Sequence, residues 1–261
     1  MPSQSSDKST RLGPHSDAVS GARLLLQAKN RRQRREFLVE GPQGVEAALD
    51  AGWVKALYSV EQYDELARRA QRERIRVYHV TEAGLAAISE TVTPQGVVAV
   101  CAMPEHALEE ILGGTVVVCA GISDPGNLGT IIRTAAAAGA TAVITTSGSA
   151  DVYNGKCIRS TVGTFTKIPV VGPFSDAEVI SYLKSAGFAI LATTGDTDNL
   201  VGDDSIRSLL QQDHAWTIGS EAHGLSAEWL SAATIKVRIP MANGVESLNA
   251  ATAAAICLFA R

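Results

Sequence analysis

The run TVVVCAGISDPGNLGTIIRTAAAAGATAVITT, residues 115–146, decides how this chain folds. Thr115–Ala120 is short, apolar and β-branched, the pattern of a strand buried on both faces. A Pro125-Gly126 turn follows. Asn127 is placed to cap a helix that ends near Gly139, and a second apolar strand, Ala142–Thr146, comes next. Strand, helix and strand in that order imply parallel pairing. Working outward, Ile168–Val171, Ala189–Thr193, Ala215–Ile218 and Ile235–Ile239 repeat the apolar pattern with helices between them. The C-terminal part therefore reads as an α/β domain with a parallel sheet covered on both faces. Ligands of such sheets bind outside the carboxyl ends of the strands.

Towards the N-terminus the alternation is shorter. Glu36–Glu40, Val54–Val60, Ile75–Val80 and Gly96–Cys101 read as strands, with helices over Gln43–Asp50, Tyr63–Arg72 and Glu82–Ser89. This predicts a small α/β unit. The expected organisation is a flexible tail over residues 1–17, a first domain over 18–101, a linker over 102–114 carrying Pro104 and Gly113-Gly114, and a second domain over 115–261.

A hydrophobic fraction of 46% in 261 residues suffices for two cores. No apolar run reaches membrane-spanning length, and the polar first residues do not resemble a secretory signal. Cys101, Cys119, Cys157 and Cys257 lie far apart in apolar surroundings, which predicts buried thiols in a reducing cytoplasm. No histidine shows metal-ligand spacing, and no metal is assigned.

The net charge of −4 hides an asymmetry. Gly21–Arg35 holds six basic residues (Arg23, Lys29, Arg31, Arg32, Arg34, Arg35) and no acidic one; Arg68, Arg69, Arg72, Arg74 and Arg76 form a second cluster. Two such clusters in one small region point to a polyanion footprint, with a solvated helix face as the alternative.

Three polar, glycine-containing segments lie beyond strand ends. The first is Asp124–Ala135, where Asn127, Thr130 and Arg133 or Thr134 are spaced to share a helix face. The second is Gly219-Ser220-Glu221-Ala222-His223-Gly224-Leu225. The third runs from Ile239-Pro240-Met241 to Ser247-Leu248-Asn249, where Ser247 is placed to cap an alanine-rich terminal helix. GxGxxG, GxxxxGK[ST] and GxSxG are all absent, which argues against a dinucleotide-binding oxidoreductase, a P-loop enzyme and a serine hydrolase.

Asn127-x-Gly129-x-x-x-Arg133, Gly219-x-Glu221-x-x-Gly224 and Ile239-Pro240-Met241 through Ser247-Leu248-Asn249 resemble, in order and spacing, the SpoU/TrmH family of RNA 2′-O-ribose methyltransferases of the knotted SPOUT class. Arg159-Ser160-Thr161-Val162-Gly163 is similar to a further family stretch. Phe37–Gly41 and Pro94–Val97 resemble the accessory RNA-binding domain of many members, which is itself similar to a ribosomal-protein fold. Asn243 departs from the pattern, standing where the family commonly has glycine. The resemblance implies a trefoil-knotted catalytic domain working as a cytoplasmic homodimer on RNA, ribosomal RNA favoured over tRNA. It also implies S-adenosylmethionine as cofactor, with Thr193, Thr194, Gly219, Ile239 and Leu248 lining its pocket. By the same resemblance Asn127, Arg133, Glu221, Ser247 and Asn249 form the catalytic constellation. Arg31, Arg32, Arg34, Arg35 and Arg159 are the expected RNA contacts. A non-catalytic RNA-binding module would need only the basic N-terminal half.

Overall fold

A computed structural model describes residues 11–60, 65–242, 245 and 247–260. Two compact units divide between Pro104 and Glu105. Residues 1–10 of the expected tail, Tyr63 and Asp64 of the expected helix Tyr63–Arg72, and Asn243 lie outside the described residues. The chain is already tied down at Leu12, which donates its N–H to the His79 carbonyl at 2.9 Å and accepts one from Thr81 at 3.0 Å.

The first unit contains α1 (Asp17–Arg23), α2 (Ala28–Arg34), β1 (Glu36–Glu40), α3 (Pro42–Asp50), β2 (Val54–Ser59), α4 (Glu65–Arg72), β3 (Arg76–His79), α5 (Glu82–Ala86) and β4 (Val97–Ala102). Its sheet runs β1-β4-β2-β3, with β1 and β2 antiparallel to β4 and β3 parallel to β2. Val19, Leu25, Leu38, Tyr58, Leu85, Ile88 and Val98 fill one core. Helix α5 is shorter than expected because the chain tightens after Ala86: Ile88 donates to the Leu85 carbonyl, a turn that buries its side chain.

The second unit contains β5 (Thr115–Ala120), α6 (Pro125–Ala137), β6 (Ala142–Thr146), α7 (Gly155–Ser160), β7 (Val170–Phe174), α8 (Asp176–Ser185), β8 (Ala189–Thr193), α9 (Asp204–Leu209), β9 (His214–Gly219), α10 (Ala227–Ala232), β10 (Ile235–Val237) and α11 (Ala250–Phe259). Its six strands are parallel throughout, in the order β10-β8-β9-β5-β6-β7. Period-two alternation explains the unbroken apolar runs. Val117, Cys119, Val143, Leu191 and Trp216 face one core with α6, α9 and α11; Val116, Val118, Ile144, Ile190 and Ala215 face the other with α8 and α10.

Two strands and the linker differ from expectation. The strand expected over Ile168–Val171 begins and ends later, at Val170–Phe174, and contains Pro173; an edge strand tolerates the missing donor. Strand β10 stops at Val237, because β8 ends at Thr193 and the chain beyond it pairs instead through Arg238 with Leu200. Within 102–114, Leu108 and Ile111 are buried in the second unit's core and Tyr182 donates its hydroxyl to the Ile111 carbonyl, so this stretch is packed structure.

Helices α6 and α7 are in near-backbone contact at Gly129. A Cβ there would sit 2.7 Å from the Ser160 Cβ and inside the Cys157 carbonyl, so only glycine lets the helices approach this closely.

Candidate active site

The carboxyl ends of β8, β9 and β10 open onto a cavity of about 240 Å³, at the small end of ligand-binding sites. Thr193 and Thr194 line it from β8, Gly219 and Glu221 from β9, Ile239 after β10, and Ser247 and Leu248 ahead of α11. Ile218, Val237, Ala250 and Ala253 complete largely apolar walls. The Thr193 hydroxyl is engaged in the sheet, donating to the Thr217 carbonyl at 2.8 Å. Gly219 is required by close approach: a Cβ there would lie 2.6 Å from the Leu225 nitrogen, because residues 220–224 fold back on the strand end. That return is closed by the Gly224 N–H donating to the Ser220 carbonyl at 2.9 Å.

At the cavity edge three side chains, far apart in sequence, join into one chain of hydrogen bonds. Asn249 caps α11, its Oδ1 accepting from the Ala251 and Thr252 N–H groups at 2.9 and 3.2 Å. With the oxygen so engaged, its Nδ2 donates to Asn127 Oδ1 at 2.9 Å. Asn127 Nδ2 is thereby turned to Glu221 and donates to its Oε1. The helix N-terminus fixes the orientation of both amides, and the carboxylate, an acceptor on both oxygens, ends the relay.

The caps differ from expectation. Asp124, not Asn127, caps α6: its Oδ1 accepts the Asn127 N–H at 2.9 Å. Asn249, not Ser247, caps α11. In both cases the capping oxygen must sit just before the first helical residue, which here is Pro125 or Ala250. Lys156 donates to Asp124 Oδ2 at 2.7 Å, and this ammonium, followed by the Asn127 N–H, holds the Asp124 carboxyl below its usual range. The Asp-Pro pair opening an apolar helix was the available signal for Asp124; nothing in the local sequence marked Lys156 as its partner. Asn127, Thr130, Arg133 and Thr134 share the open face of α6 opposite the buried Leu128, Ile131 and Ile132, with the Thr130 and Thr134 hydroxyls donating back to the Gly126 and Thr130 carbonyls.

Arg133 stands apart from the relay. It is exposed, does not line the cavity, and has no hydrogen-bond or ion-pair partner among the described residues. Six positions past Asn127, it lies about 9 Å further along α6. Arg159, on α7, is half-buried and engaged. In the first unit Arg32, Arg34 and Arg35 are exposed. Arg31 is not: it is 3% exposed, and its guanidinium donates to the Leu25 and Leu26 carbonyls at 2.9 Å. A short turn before α2 leaves those carbonyls without backbone donors, and Arg31 satisfies them, so it is removed from the expected RNA contacts. All four cysteines are free and buried, and burial pushes the Cys119 and Cys257 thiols up to about 12. Among the described residues no group of His, Cys, Asp or Glu could hold a metal, and no helix is long and apolar enough to cross a membrane.

A doubly covered parallel sheet, a cavity at its strand ends and a polar relay at that cavity's edge describe an α/β unit with a candidate small-ligand site. The family model described as SpoU rRNA Methylase family matches residues 114–259, and that of an MRM3-like substrate binding domain matches 17–99. The 23S rRNA (guanosine(2553)-2′-O)-methyltransferase RlmP of Bacillus subtilis (strain 168) is 35% identical over 243 residues, 92% of this chain and 94% of that protein. The 23S rRNA (uridine(2479)-2′-O)-methyltransferase of Streptomyces viridochromogenes is 34% identical, covering 90% and 85%. The crystal structure of the SpoU methyltransferase AviRb from that organism, in complex with AdoMet, superposes with a TM-score of 0.84 at 31% identity, covering 94% of this chain and 96% of that one. The chain belongs to the SpoU rRNA methylase family.

Proposed function

We propose that the protein transfers a methyl group from S-adenosylmethionine to a ribose 2′-hydroxyl of 23S ribosomal RNA. The single observation that carries this reading is the junction of the strand-end cavity with the Asn249–Asn127–Glu221 relay, in a chain whose two units both match the family's parts. The two named relatives act on a guanosine and a uridine, so the ribose is the shared target.

The residues present fit the cofactor. Ile218, Val237, Ile239 and Leu248 offer apolar surface to an adenine ring, and the Gly219 close approach keeps the wall free of side chain. S-adenosylmethionine supplies an electrophilic methyl on a sulfonium. What the protein must add is alignment of a weakly nucleophilic hydroxyl and stabilisation of charge as its proton leaves. The relay from Asn249 through Asn127 to Glu221, with Ser247 beside it, positions the ribose. Arg133 orients the target nucleotide and stabilises the developing alkoxide. Its guanidinium is not assigned the role of base, because arginine stays protonated in proteins.

A homodimer belongs to the same reading. Thr252, Ile256 and Phe259 form an exposed stripe along α11 at spacings that share a face, and Phe259 is 59% exposed. The trefoil crossing is supported by the path of the C-terminus: β10 is an edge strand, yet α11, which follows it, packs on α6 and β9 at mid-sheet. Four buried thiols suit a reducing cytoplasm. Mapping 2′-O-methyl positions in 23S rRNA from a strain lacking the gene tests the function: one position is expected to lose its methyl. An unchanged map would contradict it.

Capture of RNA is assigned to the N-terminal unit. Residues 1–80 hold fourteen basic and ten acidic side chains, an excess of four, so with −4 overall the remainder carries −8. An acidic remainder cannot attract a polyanion by its own long-range field. Replacing Arg32, Arg34 and Arg35 with alanine is expected to lower the slope of log affinity against log salt by about two to three. Arg31 is left in place because its loss would strand buried carbonyls. RNA affinity measured at several salt concentrations checks this, and an unchanged slope would reduce these arginines to a solvated helix face.

A further inference from the structure

Resting on the cofactor reading above, we propose that Arg238 recognises the carboxylate of the cofactor's methionine tail, and so decides which adenosine thioethers the cavity holds. Among the described residues lining the cavity, Arg238 is the only cation and Glu221 the only anion. Arg238 is held firmly by its backbone: its N–H donates to the Asn199 carbonyl at 2.8 Å, and its own carbonyl accepts from Val201 at 3.0 Å. Its side chain is rooted there but unmatched. The Nε–H is shielded from solvent and has no hydrogen-bond partner.

A guanidinium in a cavity wall with no hydrogen-bond partner among the described residues keeps its donors for a ligand. A cavity ligand that brings an oxyanion pairs with the guanidinium. S-adenosylmethionine carries one, the carboxylate, together with two cationic centres, the sulfonium and the amino group. A lone arginine suits the carboxylate and repels the cations, while Glu221, at the relay, suits a cation. Planar guanidinium donors match a carboxylate well. An RNA phosphate is the other oxyanion that reaches this protein. Arg238 stands in the wall of the cofactor cavity itself, which favours the carboxylate.

Calorimetry without RNA separates these cases, using S-adenosylhomocysteine and 5′-methylthioadenosine, which share adenosine and thioether but differ in the amino-acid tail. Arg238→Gln is expected to weaken S-adenosylhomocysteine by about ten- to a hundredfold and to leave methylthioadenosine within about twofold. Arg238→Lys is expected to recover part of the loss; it also carries the comparison should the glutamine variant fold poorly. Equal losses for both ligands would mean a wall residue and would overturn the proposal, as would no loss for either. A deficit seen only in RNA affinity would assign Arg238 to phosphate and overturn it as well. Failure of the unmodified protein to bind either ligand would strike the cofactor reading itself, a different result from any of these.

Discussion

Arg133→Ala is expected to reduce methyl transfer by about a thousandfold or more, with folding stability and S-adenosylmethionine affinity unchanged. Arg133 is exposed and has no partner among the described residues, so its truncation removes no contact that holds α6 in place. Exposed substitutions of this kind stay within about 0.5 kcal/mol. It does not line the cavity, so the cofactor loses no wall. What remains is its charge, which is expected to act on the nucleotide as the hydroxyl becomes an alkoxide. Turnover, thermal melting and calorimetric affinity measured together check the claim. Near-wild-type turnover would remove Arg133 from the mechanism, and a loss that tracked melting would make it structural.

Asn249→Asp is expected to keep the fold and lower turnover by about a hundredfold. Aspartate caps a helix as well as asparagine does, so the bonds from Ala251 and Thr252 survive. The Nδ2 donor does not. A carboxylate oxygen would face Asn127 Oδ1, two acceptors in contact, and the Asn127 amide would turn over to donate in that direction. Its nitrogen would then leave Glu221, and the relay would break at a position that Asn249→Asp itself does not touch. Paired kinetic and melting measurements test this. Full activity in Asn249→Asp would show that the relay's direction is immaterial to the reaction.

The sheet was legible in the sequence because residues buried on both faces leave an uninterrupted apolar mark, and β5, β6 and β8 begin and end where the apolar runs do. The site was legible only as three ordered segments. Asn127 and Glu221 are 94 residues apart and Asn127 and Asn249 are 122, separations at which spacing carries no geometry. The caps were misplaced for a local reason: Asp124 and Asn127, like Ser247 and Asn249, are all competent, and the choice depends on where the backbone turns from extended to helical. Arg31 was misread because a count of charges cannot see two carbonyls left open by the preceding turn. Arg238 gave no sign in sequence, since an unpaired buried donor exists only once the chain is folded.

Incubating the purified protein with methyl-labelled S-adenosylmethionine and unmodified 23S rRNA, then digesting the RNA to nucleosides, shows whether the protein methylates a ribose. Label in a single 2′-O-methylated nucleoside, absent from the Arg133→Ala reaction, is the expected result. Label on a nucleobase, or no label in RNA from a protein that binds the cofactor, would contradict it.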